Sequence, residues 1–185
     1  MTIPASRGQL RASFLRWALF VVPTVMALGF FSARLSGSGP GNSWFDALAK
    51  PEMFPPPGAF GIVWPLLYFA MGIAFTLVLT ARGARGRGPA VAAFVAQLGL
   101  NLAWSPVFFA AHAMTTALWI LVALDLAVLV TIALFWRVRR PAALLLVPYL
   151  AWIGFATLLN WEFIRANPGA EGAERAAPAT TRFEI

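Results

Sequence analysis

Two amides stand four residues apart in the apolar stretch PAVAAFVAQLGLNLAWSPVFFAA, Gln97 and Asn101. Helical spacing puts both on one face, which Trp104 and Phe108 continue. An amide facing lipid is expensive, so this face must turn inward. Two chemistries suit it: hydrogen bonding between helices, or the polar edge of a ligand pocket. A second stripe, in PAALLLVPYLAWIGFATLLNWEFIR, repeats Trp152, Ala156 and Asn160 at four-residue intervals, setting an indole and an amide around a gap. The gap suits a flat molecule or a neighbouring helix. Trp64, Tyr68 and Met71 form a third stripe in GAFGIVWPLLYFAMG. Asp125 is the carboxylate in the body of an apolar run, where an acid is protonated, paired, or part of a proton or ligand path.

The elements carrying these stripes follow from composition. Hydrophobic residues make up 60% of the 185 and charged ones 11%, so the solvent is a bilayer. The net charge of +7 comes from Arg residues clustered between apolar runs, a topology signal and not a nucleic-acid surface. With no Cys and His112 as the single His, there is no disulfide, thiolate site or multi-His metal centre within one chain. Nothing resembles an acid–base dyad or a nucleophile with its base.

Spanning a bilayer takes roughly 20 residues of helix. Apolar runs of that order at 17–35, 59–81, 89–111, 113–136 and 141–164 predict an all-α membrane protein, a bundle of five transmembrane helices within 17–165. The first run is longer than a signal-peptide core and lacks a cleavage site, so it reads as a true span. Residues 1–16 form an N-terminal segment whose first dozen are expected to be loose, and 166–185 are expected to be a disordered tail. Arg7, Arg11 and Arg16, then Arg82, Arg85 and Arg87, then Arg137, Arg139 and Arg140 share one side, predicting the N-terminus inside and the C-terminus outside. Pro23, Pro65, Pro106 and Pro148 each free a carbonyl within or beside a span. Trp17, Trp44, Trp136 and Trp161 fit an interfacial aromatic belt, whereas Trp119 reads as packing or lipid contact. Ala92, Ala96 and Gly99 offer a small-residue strip on which helices approach closely. The loop 36–58 is stiffened by Pro51, Pro55, Pro56 and Pro57.

The segments KPEMFPPPGAFGIVWPLLYFAMG, QLGLNLAWSPVFF and VPYLAWIGFATLLNWEFIRAN resemble the three signature blocks of the translocator protein family, also called tryptophan-rich sensory proteins or peripheral-type benzodiazepine receptors. The resemblance covers about residues 17–167, and WSPVFF is most similar to the bacterial branch. It implies a homodimeric five-helix receptor or carrier of tetrapyrroles such as protoporphyrin IX and haem, with sterols and synthetic drugs as further ligands. The first loop would be a lid, and the pocket would be lined by Phe60, Gly61, Val63, Trp64, Tyr68, Asn101, Trp104, Trp152 and Ala156. The dimer contact would use Ala92 and Ala96. The alternatives it carries are light-dependent porphyrin degradation at Trp64 and Trp152, or transport of the same ligands. Bacterial relatives are associated with the outer membrane. Three positions depart from the family pattern: Met53 replaces a lid Trp, Trp161 replaces the Tyr of a proposed sterol motif, and Asp125 replaces an apolar or aromatic residue.

Overall fold

The computed structural model describes residues 6–172, and among these every regular element is helical. Seven helices run in order: α1 (Arg7–Leu35), α2 (Ser43–Ala47), α3 (Pro57–Leu79), α4 (Arg87–Ser105), α5 (Met114–Val138), α6 (Arg140–Leu145) and α7 (Val147–Ala166). Five of the resulting rods are long and apolar enough to cross a membrane, the last being α6 and α7 together. The protein is a multi-pass integral membrane protein.

Helix α1 starts well before the apolar run at 17, so the N-terminal segment is not loose from Arg7 onward. A capping box explains the early start: the Gln9 amide donates to Ser6 Oγ (3.2 Å) and the Ser6 amide to Gln9 Oε1 (2.9 Å). Its 29 residues extend about 43 Å at roughly 1.5 Å per residue, beyond the roughly 30 Å of hydrocarbon. The first turns, with Arg11 and Arg16, therefore reach the headgroups.

Proline sets the other boundaries. Pro57 starts α3, where its missing N–H costs nothing. Pro148 breaks the predicted single helix 141–164 into α6 and α7, since it cannot return a bond to Leu144. Pro106 turns the end of α4 into a five-residue π-helical segment, Pro106–Ala110. It also orphans the carbonyl of Leu102, and Ser32 of α1 donates to that oxygen at 2.7 Å. A freed backbone acceptor thus becomes an interhelical bond, as the membrane requires.

Around the bundle α1 packs on α3, α3 on α6 and α7, α7 on α5, α5 on α4, and α4 back on α1. The core centres on Met71, Phe94, Leu124, Phe135, Tyr149 and Ile153. Burial between α1 and α3 depends on missing side chains, because lipid supplies little hydrophobic force between helices. A Cβ on Gly72 would lie 2.9 Å from Val22 Cα, and one on Gly29 would lie 2.3 Å from the Tyr68 ring. Trp17, Trp119, Trp136 and Trp161 are exposed, whereas Trp44 is part-buried in a loop cluster.

Gly72→Ala is expected to wedge α1 from α3 and cost about 1–3 kcal/mol. Gly154→Ala, with nothing within 4 Å, is expected to be neutral or to stabilise by up to about 1 kcal/mol. Thermal unfolding in detergent measures both; equal losses would show that close approach at Gly72 is not what holds α1.

Candidate ligand site

The polar stripe of α4 is consumed by the scaffold. Tyr68 of α3 donates to Asn101 Oδ1 at 2.7 Å, Asn101 Nδ2 donates to the Tyr149 hydroxyl of α7 at 3.0 Å, and that hydroxyl donates to Gln97 Oε1 at 3.1 Å. Gln97 and Tyr149 are fully buried and Asn101 nearly so. Of the two chemistries open to Gln97 and Asn101, interhelical bonding accounts for three of the four amide groups. Gln97 Nε2 alone is buried without a partner. Trp104 is tied as well, donating to Asn160 Oδ1 at 3.2 Å, while Asn160 Nδ2 donates to the Met114 carbonyl at 3.0 Å.

The remaining expected residues lie on α3 and α7, with their rings in two pairs. Trp64 stacks on Tyr68 (5.4 Å between centroids, 27°), and Phe60 meets Trp152 edge-on at 5.7 Å. Val63 and Ala156 pack part-buried against the same core. Gly61 is exposed, with open space where a Cβ would be, and contributes no wall contact. The Trp152 indole differs from Trp104: its Nε1 is buried and has no acceptor. Above these rings the loop adds Phe54, 5.6 Å from Phe60 and 5.8 Å from Phe163. Met53 is 41% exposed, so Phe54 closes the cluster from the loop. Two shallow, open clefts lie elsewhere, one of about 330 Å³ beside Arg87 and Gly83 and one of about 260 Å³ between Ala96 and Leu126. Phe54, Phe60 and Trp152 thus form a run of neighbouring rings from the loop to α7.

The loop itself is a built object. Asn42 caps α2 by accepting from the Phe45 amide (3.0 Å) and reaches across to the Phe109 carbonyl (3.2 Å). Lys50 closes the other end, donating to the carbonyls of Phe45 and Leu48 with its ammonium over the Phe45 ring. Partial burial there lowers the pKa of Lys50, and Asp46 opposes the shift.

Residues after α7 fasten this loop, contrary to the expected disorder of the whole tail; 173–185 lie outside the described residues. Asn167 pairs with the Ala49 backbone in both directions, accepting from its N–H at 2.7 Å and donating to its carbonyl at 3.0 Å. Trp44 Nε1 donates to the Ala170 carbonyl at 3.0 Å, and the Gly172 amide to the His112 carbonyl at 3.2 Å. His112 holds a left-handed φ of 54°, sustained by that bond and by stacking on Trp44 at 4.4 Å. Helix α5 has Ala113 at its N-cap and no side-chain cap of its own. Glu171 supplies one, accepting from the Thr115 amide and hydroxyl at 2.7 Å each. Sequence reading missed this strap because polar, glycine-rich composition gives no period, and its partners lie 56 and 118 residues away.

Asn167→Ala is expected to release both bonds to Ala49, about 1–3 kcal/mol, and to accelerate amide exchange in 44–56 several-fold. Exchange within α5 should be unchanged. Hydrogen exchange with mass readout measures it, and unaltered rates in 44–56 would show that the strap does not hold the lid.

Known proteins place this arrangement. Residues 20–165 match the profile of the TspO/MBR family. The tryptophan-rich sensory protein of Cereibacter sphaeroides is 38% identical over 151 residues, covering 82% of this chain and 92% of its own length. The human translocator protein is 38% identical over 163 residues, covering 83% and 96%. An archaeal relative, tryptophan-rich protein TspO of Archaeoglobus fulgidus, is 36% identical over 143 residues, covering 77% and 92%. With its matched span running from α1 to the end of α7, the chain belongs to the TspO/MBR family.

Proposed function

We propose that the aromatic cluster of Phe60, Trp64, Trp152 and Ala156 receives a flat tetrapyrrole such as protoporphyrin IX or haem, making the protein a membrane receptor or carrier. The observation that supports this most is the Trp152 indole N–H, buried under the lid without an acceptor. Buried donors are nearly always paired, and an unpaired one in an aromatic cluster suits a ligand acceptor such as a carboxylate edge. Trp64 and Phe60 supply ring faces for stacking, and Ala156 leaves room beside the indole. Tyr68, Asn101 and Trp104 serve as the floor that keeps those faces in register, since their polar atoms are already engaged. Lid opening at Phe54 is part of binding in this reading.

A second copy of the chain is the proposed partner of the strip Ala92, Ala96 and Gly99. All three are exposed on the face of α4 opposite Gln97 and Asn101, where small side chains let a second helix approach closely.

Titration of the purified protein with protoporphyrin IX, followed by tryptophan quenching, tests the binding. Saturable quenching is expected, with affinity falling about 5–30-fold in Trp152→Phe, the equivalent of roughly 1–2 kcal/mol for a lost hydrogen bond. Trp119→Phe, at an exposed ring, is expected to bind as the parent does. Absence of saturation, or equal weakening by both substitutions, would count against the site.

A further inference from the structure

We propose that Asp125 and Thr157 form a proton-binding site at the α5–α7 seam, open to the hydrocarbon and separate from the aromatic cluster, in which the Asp125 carboxyl carries the proton. Thr157 Oγ1 lies 2.7 Å from Asp125 Oδ2 and 2.9 Å from the Ile153 carbonyl. A threonine hydroxyl has one hydrogen, and a backbone carbonyl only accepts. With an ionised carboxyl that one hydrogen is shared between the two acceptors as a three-centre bond, whereas a protonated Asp125 donating to Thr157 leaves the Thr157 hydrogen wholly to Ile153, so each contact is a full two-centre bond.

The other carboxyl oxygen agrees. Asp125 Oδ1 is buried and has no partner. An ionised oxygen left bare in an apolar medium is far costlier than the carbonyl oxygen of a neutral acid. Among the described residues no cation pairs with Asp125: the one ion pair joins Glu162 to Arg165. On α5 and the elements packed against it, the other charged groups sit at the ends, Arg87 on α4, Arg137 on α5, Arg140 on α6, and Glu162 with Arg165 on α7. The remaining titratable group in those spans is the Tyr149 hydroxyl, engaged with Asn101 and Gln97.

Placement brings part of the Asp125 side chain, though not Oδ1, to the bundle surface. Asp125 is part-exposed on the flank of α5 between the buried stripe Leu121, Leu124, Val128 and the exposed Trp119 and Leu126. Losing the proton would draw the single Thr157 hydrogen from Ile153 toward the carboxylate. Proton occupancy is thereby coupled to the packing of α5 on α7.

Infrared difference spectra of the protein in bilayers near neutral pH, parent against Asp125→Asn, read the protonation state directly. A protonated-carboxyl carbonyl band that disappears in the variant is expected, and a difference confined to carboxylate bands overturns the proposal. Access is read on the unmodified sequence with dicyclohexylcarbodiimide. The carboxyl oxygen adds to the carbodiimide carbon while its proton passes to nitrogen, and acyl migration gives a stable N-acylurea with no leaving group. An adduct mapped to Asp125, formed by this reagent and not by a water-soluble carbodiimide, is the expected result. Labelling confined to Asp46, Glu52, Glu162 or Glu171 would overturn the claim that the site opens to the hydrocarbon.

Discussion

The chain of hydrogen bonds from Tyr68 through Asn101 to Tyr149 and Gln97 is the constraint on which the bundle turns. It ties α3, α4 and α7 at one level of the membrane, where no water can substitute for a lost partner. Apolar packing alone sets helices side by side in lipid with little preference for rotation. A buried amide with defined partners fixes rotation, because turning α4 by one residue would strand Asn101 and both hydroxyls. Gly29 enters the same constraint, since the Tyr68 ring occupies the space its side chain would take. The floor of the aromatic cluster is therefore set by polar geometry, and the cluster inherits its precision.

Much of this was legible from spacing. The four-residue interval between Gln97 and Asn101 put both inside, and the structure buries both. The Trp152, Ala156, Asn160 stripe likewise faces inward, with Asn160 2% exposed. Spacing was silent on which partner each amide takes, since that depends on helices distant in sequence. Tyr149 passed unnoticed because a lone phenol beside Pro148 forms no pattern within its own helix, and its role exists only once α4 lies alongside. Trp44 shows the same limit: spacing placed it near a helix end but could not show that its N–H donates to the Ala170 carbonyl across the fold.

Prolines were read correctly as freeing carbonyls, but where the freed group would go needed three dimensions. Pro106 illustrates the consequence. Its orphaned Leu102 acceptor meets Ser32, so an irregularity in α4 becomes a specific bond to α1. The π-helical segment that follows swings Phe108 and Phe109 under the loop, where they pack with Phe45. One missing N–H thereby shapes the end of the bundle on which the lid rests.

The loop 36–56 and the strap are held to the end of the bundle by two different kinds of contact. Neighbouring rings of Phe54, Phe60 and Trp152 join the loop to α7 beside an indole N–H that has no acceptor. Aromatic packing is non-directional and survives small displacements, so by itself it would let the loop drift. The paired bonds of Asn167 to Ala49 are directional and few, and breaking them costs only a few kcal/mol. A closure resting on such bonds is secure on the time average and still opens at thermal energies. Because the strap springs from the end of α7, the helix that carries Trp152 also carries the fastening of the loop above it. Movement of α7 on a bound ligand would be felt at the lid without any longer path between them.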